Sequence, residues 1–478
     1  MLFNSLRYLI FFPVIVFLYY LLPHKYRWAL LLAASYYFYM CWRVEYALLI
    51  VTSTLVDYAA GILMSKESEK RKRGKYLALS LLVNLGLLFV FKYYNFVSIN
   101  LINLFADYNI FLNMPELKIL LPVGISFYTF QTLSYTIDIY KGRRRAERHL
   151  GIFALYVAFF PQLVAGPIER STHLLPQFRQ QHQFRYRNVS DGLKLMLWGF
   201  FKKVVIADRL ALLVNTIYRD PEHYSGFPLL IAVYFFSFQI FCDFSAYSDI
   251  AVGSARVLGY DLTENFHRPY FARNIKEFWH RWHISLTSWF RDYVFIPLGG
   301  NRVSPLQFYY NIIVVFLLSA FWHGANWTFL FWGFLHGIYY IFTDLIERLN
   351  SKFFHLNIQN RVIKLFDVLL TFHLVTFAWI FFRAGSLNKA FLIIRKISSG
   401  IKINWQDAWG LTTIQLTIAL VSLAIMLGVQ IFQEKRGSLR EYILRYPLMV
   451  RYGIYLALII YIFSAGLFTN DKFLYFQF

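Results

Sequence analysis

The chain has 478 residues, of which 58% are hydrophobic, 21% aromatic and only 15% charged, where a soluble domain carries about 25% charged residues. A water-soluble globule is excluded, and the clustering of apolar residues into long runs points to repeated crossings of a bilayer. The formal charge of +22, from 48 Lys and Arg against 26 Asp and Glu, is assigned to cytoplasmic loops and anionic lipid rather than to nucleic acid, with a polyanionic ligand as a secondary cause.

A helix crossing a hydrocarbon core about 30 Å thick needs about 20 mostly apolar residues. Apolar helices are predicted at 7–22, 28–42, 45–64, 76–95, 119–140, 151–168, 191–215, 227–258, 306–325, 327–347, 362–384, 412–433 and 451–469. No ten-residue alternation of a membrane β-barrel dominates. The expected fold class is therefore an all-α, polytopic integral membrane protein, with residues 1–478 forming a single membrane-embedded domain. The first run, Tyr8 to Leu22, is followed by Pro23-His24-Lys25-Tyr26-Arg27 rather than a small-residue cleavage site, and reads as a retained helix. Segment 119–140 holds Pro122, Gly124, Gln131 and Asp138, which suits a helix buried in protein; 191–215, with Lys202, Lys203, Asp208 and Arg209, reads as partly interfacial. The basic runs Lys66–Lys75 and Lys141–Arg148 are expected on the cytoplasmic side. Cys41 and Cys242 lie in separate apolar runs, which excludes a disulfide framework and thiolate metal ligation; both are expected in the core.

Two features stand apart from this pattern. Asn265 to Arg302 is too charged to span a membrane and too aromatic for a solvated loop, so it is expected at the interface or dipping into the protein. His323 sits in Trp322-His323-Gly324-Ala325-Asn326-Trp327, between apolar flanks. A polar group in hydrocarbon is costly unless it has a partner or lines a cavity, so an intramembrane imidazole is a functional-site candidate, and its ordinary pKa near neutrality suits proton transfer. Other polar residues have plainer readings. Asp243 and Asp249, within an apolar helix, need partners such as Arg256 or Arg291. His336 reads as structural. His280 and His283 are spaced i, i+3, but no third and fourth ligands stand at useful spacing, so no metal site is predicted. Ser126 lacks the second glycine of a nucleophile elbow.

The motifs Arg281-Trp282-His283-Ile284-Ser285-Leu286, Trp289-Phe290-Arg291-Asp292-Tyr293, Ile296-Pro297-Leu298-Gly299-Gly300-Asn301-Arg302 and Trp322-His323-Gly324-Ala325 resemble the signature regions of the membrane-bound O-acyltransferase family, in its alginate O-acetyltransferase membrane-subunit branch. Pro122 to Gln131, Phe160 to Ile168, Asp243 to Asp249 and the ending Phe473-Leu474-Tyr475-Phe476-Gln477-Phe478 fit the same branch. The resemblance implies roughly 11 transmembrane helices with re-entrant or interfacial helices around a central cavity, and catalytic motifs within 265–337. It implies His323 as the catalytic histidine and His283, 40 residues earlier, as a second functional one. Many relatives have Arg at the position of His280, which places that residue outside the shared chemistry.

On this basis His323 is expected to act as general base on a hydroxyl that attacks an acyl thioester. His283 is expected to orient or polarise the acyl carbonyl or the hydroxyl. Asn326, three residues after His323 and on one helical face with it, is expected to hold the base. Tyr128 and Gln131, with Asp138 and Tyr140, and Arg291 and Asp292 are expected along an acyl or acceptor passage. No tightly bound cofactor is expected, with acetyl-CoA or another acyl thioester as co-substrate. The implied partners are an exopolysaccharide acceptor, periplasmic acetyltransferase proteins and membrane lipids, with no nucleic acid. The implied location is the bacterial inner membrane. Transfer of D-alanine to teichoic acid from a carrier protein is the alternative within the class. A proton-coupled or polysaccharide transporter is the alternative outside it, disfavoured by the lack of a visible inverted repeat.

Overall fold

A computed structural model describes residues 1–164, 166–354, 360–400, 410–468 and 473–474. Ala165 and Tyr475, Phe476, Gln477 and Phe478, which belong to two of the motifs above, lie outside the described residues. The described secondary structure is helical except for one antiparallel bridge, Phe266 to Trp282. Among the described residues, eight helices are long and apolar enough to cross a membrane: Ala47–Lys66, Lys70–Ala106, Gly226–Val257, Pro305–His323, Trp327–Phe353, Arg361–Arg383, Thr413–Arg436 and Leu448–Ala465. Leu6–Leu21 and Leu150–Leu163 are apolar but shorter. The chain is thus an all-helical, multi-pass membrane protein, and the expected 119–140 helix begins later, at Ile125.

The residues group into two compact units. One holds Met1–Lys194 with Ala251–Thr263. Inside it, Asp57 of helix Ala47–Lys66 is fully buried. Its carboxylate accepts hydrogen bonds from the Ser80 hydroxyl and, at 2.9 and 3.0 Å, from the Asn84 amide, while Ser80 lies 3.2 Å from the Thr136 hydroxyl. A charge-bearing group survives in such a helix because its neighbours saturate it, and those neighbours come from Lys70–Leu88 and Ile125–Tyr140. Gly124, at φ +78°, starts the latter helix, and a Cβ there would meet the Leu163 carbonyl oxygen at 2.5 Å. Only glycine satisfies both the left-handed turn and the close approach. Arg73 donates to the carbonyls of Ile139 and Tyr140 at 2.7 and 2.9 Å. The basic runs 66–75 and 141–148 therefore emerge on one face, as an orientation set by positive loops requires.

The other unit holds Leu195–Ile250 and Glu264–Phe478. Pro305–His323 and Trp327–Leu349 form a helical hairpin. Ser304 caps the first helix through the Gln307 N–H, and Pro305 occupies its first turn, where a missing N–H costs nothing. The two helices touch at Gly333, where an added Cβ would lie 2.5 Å from the Ala320 Cβ and 2.6 Å from the Phe316 carbonyl oxygen. Small residues permit such backbone approach in membrane bundles. Segment 191–215, expected to be partly interfacial, has Lys202, Lys203, Asp208 and Arg209 buried in protein. Lys203 is 1% exposed, on the π-helical turn Phe201–Ala207, with Asp243 at 2.7 Å and Asp208 at 2.8 Å. Lys202 pairs with Asp249 at 2.8 Å. The partners of Asp243 and Asp249 are thus these lysines and not Arg256 or Arg291, and Asp243 also accepts the Leu474 N–H at 2.7 Å. Cys242 is buried beside Met426, whereas Cys41 is only half-buried.

Candidate active site

The segment that carries His283 is built by breaking a helix. Ile275–Arg281 starts at Asn274, whose side chain caps the Glu277 N–H at 2.8 Å. It stops at Trp282, and His283 then adopts φ 45°, ψ 53° before Ile284–Phe290 begins. A non-glycine residue in the left-handed region is uncommon, histidine being among the more tolerant types, and such strain persists where surroundings fix it. Here the chain at 265–267 does so: the His267 N–H donates to the Arg281 carbonyl at 2.9 Å, and the Ile284 N–H to the Asn265 carbonyl at 3.0 Å, around the Phe266–Trp282 bridge. Arg281 and Arg268 converge on Glu434, at 3.0 and 2.7 Å.

This frame puts His283 among apolar rings, with Phe244 at 4.6 Å, Trp322 at 5.9 Å and Phe266 at 6.4 Å between centroids. The imidazole is fully buried, and burial pulls it down from its ordinary value to about 3, so it is neutral at physiological pH. Its Nδ1 lies 3.2 Å from the Asn265 side-chain oxygen, which also receives the Ser285 N–H at 3.1 Å and the Ser285 hydroxyl at 2.9 Å.

His323 ends its helix and is 4% exposed. Its ring packs on Trp322 at 4.9 Å, Trp332 at 5.2 Å and Phe382 at 5.4 Å. One indole, Trp322, therefore has both imidazoles against it. Two residues 40 apart in sequence are brought to a common neighbour, behind an apolar wall of aromatic rings.

Most of the other expected residues have partners of their own. The helix ends at His323, so Asn326 does not share a helical face with it. Asn326 instead caps Trp327–Leu349, accepting the Thr328 N–H at 3.0 Å and donating to the Gly385 carbonyl at 2.9 Å. Arg291 is exposed and pairs with its neighbour Asp292 at 2.9 Å. Tyr128 and Gln131 belong to the first unit: Tyr128 is 1% exposed, and Gln131 donates to the Tyr156 carbonyl. Asp138 lies 3.6 Å from Arg143, so its charge is met locally. His280 is exposed, bonded to the Lys276 carbonyl. His336 is fully buried, accepts the Trp279 indole N–H at 3.3 Å and stacks between Phe278 and Phe316, a packing role. Sequence reasoning missed the roles of Asn265 and Glu434, and it read Lys203 only as part of a partly interfacial segment. Lys203 carried a signal, as a cation within an apolar run. Asn265 carried none, because its importance depends on the return of the chain 18 residues later.

Residues 149–384 match the membrane-bound O-acyltransferase family. A probable alginate O-acetylase of Pseudomonas aeruginosa is 40% identical over 384 residues, 80% of this chain and 71% of that protein. A peptidoglycan O-acetyltransferase of Helicobacter pylori is 36% identical over 391 residues, 76% of this chain and 72% of its own. A teichoic acid D-alanyltransferase of Bacillus subtilis is 29% identical over 275 residues, 54% and 68% of the two chains. The chain belongs to the membrane-bound O-acyltransferase family. It is a membrane acyltransferase.

Proposed function

We propose that this acyltransferase moves an acetyl group from a cytoplasmic thioester, acetyl-CoA, to an exported polysaccharide or to a periplasmic acetyltransferase that serves it, from the bacterial inner membrane. The observation that carries the site is the shared contact of His283 and His323 with Trp322. Resemblance to an alginate O-acetylase and a peptidoglycan O-acetyltransferase over most of the chain supports a glycan acceptor and an acetyl group. The D-alanyltransferases match less of it.

In this reading the acceptor hydroxyl attacks the thioester carbonyl as the lone pair of His323 takes its proton. The C–S bond then breaks, and the imidazolium returns the proton to the leaving thiolate. No covalent enzyme intermediate is required, because a thioester is already activated. A neutral His283 beside this step orients a reactant without adding charge to the apolar pocket.

Substitution His323→Ala tests the assignment. It should abolish transfer of labelled acetyl from acetyl-CoA while leaving the protein inserted and monodisperse in detergent. Near-normal turnover would sink it. Labelled D-alanine arriving from a carrier protein, with acetyl-CoA inert, would replace the substrate reading and keep the site.

A further inference from the structure

We infer that Asn265 is a positioning residue that fixes His283 as the Nδ1–H tautomer, so that His283 accepts a hydrogen bond from the acyl acceptor and gives none to the acyl carbonyl. This rests on the proposed participation of His283 in acyl transfer, and it decides between the two tasks left open for that ring.

One group in this cluster has a single possible role. The Ser285 backbone N–H can only donate, so the Asn265 atom 3.1 Å from it is the amide oxygen and not the nitrogen. The same oxygen faces His283 Nδ1 at 3.2 Å and the Ser285 hydroxyl at 2.9 Å. An amide oxygen carries no hydrogen, so Nδ1 must supply one. A neutral imidazole has a single N–H, and with that proton on Nδ1 the ring lone pair is on Nε2. The bridge at Phe266–Trp282 and the bond from the Ile284 N–H to the Asn265 carbonyl hold both backbones, so the pairing cannot slip.

The amide nitrogen points the same way. Asn265 is 1% exposed, and its NH2 makes no hydrogen bond among the described residues. Among those residues the side chain acts through its oxygen, which takes all three hydrogen bonds. A carboxylate would supply that oxygen too, but it would stabilise the imidazolium. The amide sets the tautomer and leaves the ring neutral. Since the reacting hydroxyl surrenders its proton to His323, the hydroxyl that His283 holds is a neighbouring one. The acceptor is then a polyol, as a sugar ring is.

The test uses the full-length enzyme in detergent with acetyl-CoA and a soluble glycan acceptor. Asn265→Ala should lower kcat/KM for the acceptor by about tenfold or more, with KM for acetyl-CoA unchanged. Asn265→Asp should retain more of the activity, and its pH–rate profile should gain an acid limb at higher pH than the wild type. A residue that merely packs would lower both variants alike with no shift of the profile, and that result overturns the inference. Histidine ¹⁵N spectra of the wild type, with His283 assigned by loss of its signals in His283→Asn, read the tautomer directly and need no folded alanine variant. A protonated Nε2 there overturns the inference even if His323→Ala has already upheld the site. Activity retained by His323→Ala fails the functional reading itself.

Discussion

At the scale of single residues, the buried His283 links stability to pH. Its ordinary value is 6.5 and its folded value about 3, so on acidification the unfolded chain binds a proton first. The contribution is fully present above about 6.5 and is lost as pH falls toward the folded value. Melting in detergent should therefore fall more steeply between pH 7.5 and 5 for the wild type than for His283→Asn, a residue that also tolerates the left-handed backbone. Parallel curves would contradict the burial. The same low value means that any loss of activity near pH 6 belongs to another group. How far such residues are legible in the sequence depends on what each requires. His323 was visible because an imidazole between apolar flanks is an anomaly in one dimension. Asn326 was misplaced because the i, i+3 rule assumed a helix that stops at His323. Asn265 was invisible because its partner is chosen by a chain reversal.

At the scale of elements, the hairpin of Pro305–His323 and Trp327–Leu349 holds His323 in place through its contact at Gly333. Gly333→Ala should separate the helices at an overpacking cost of about 1–3 kcal/mol, seen as a lower melting temperature and reduced turnover. Gly428, with nothing within 4 Å of an added Cβ, supplies the control, since Gly428→Ala should melt no lower than the wild type. The π-helical turn Phe201–Ala207 makes a second, larger prediction. Lys203→Met strips the cation from Asp243 and Asp208, and breaking a buried ion pair by removing one partner costs about 3–5 kcal/mol. Folded protein recovered from membranes should drop sharply; recovery at wild-type levels would show that the charges are met some other way. Most long helices were legible from run length, as with Gly226–Val257 against an expected 227–258, because bilayer thickness fixes how many apolar residues a span needs. The ion pairs were not, because charge partners 40 residues apart are joined only by packing.

At the scale of the whole molecule, the all-helical, multi-pass architecture follows from composition, while its division into two compact groups of helices does not. The orientation is testable by labelling. Ser68→Cys, within the first basic run, should react with an impermeant thiol reagent in inverted inner-membrane vesicles and resist it in intact cells; the reverse would invert the topology. Arg73 joins that run to the residues leading into the second, through Ile139 and Tyr140. Cations gathered on one surface act on dissolved anions through a field that counterions screen, with a Debye length of about 10 Å at 0.1 M salt and about 30 Å at 0.01 M. Raising ionic strength should therefore raise KM for acetyl-CoA and leave KM for a short, uncharged acetyl thioester nearly unchanged. On the proposed function, the two hydrogen bonds that Arg73 gives to backbone carbonyls tie capture of an anionic thioester to the salt around the membrane.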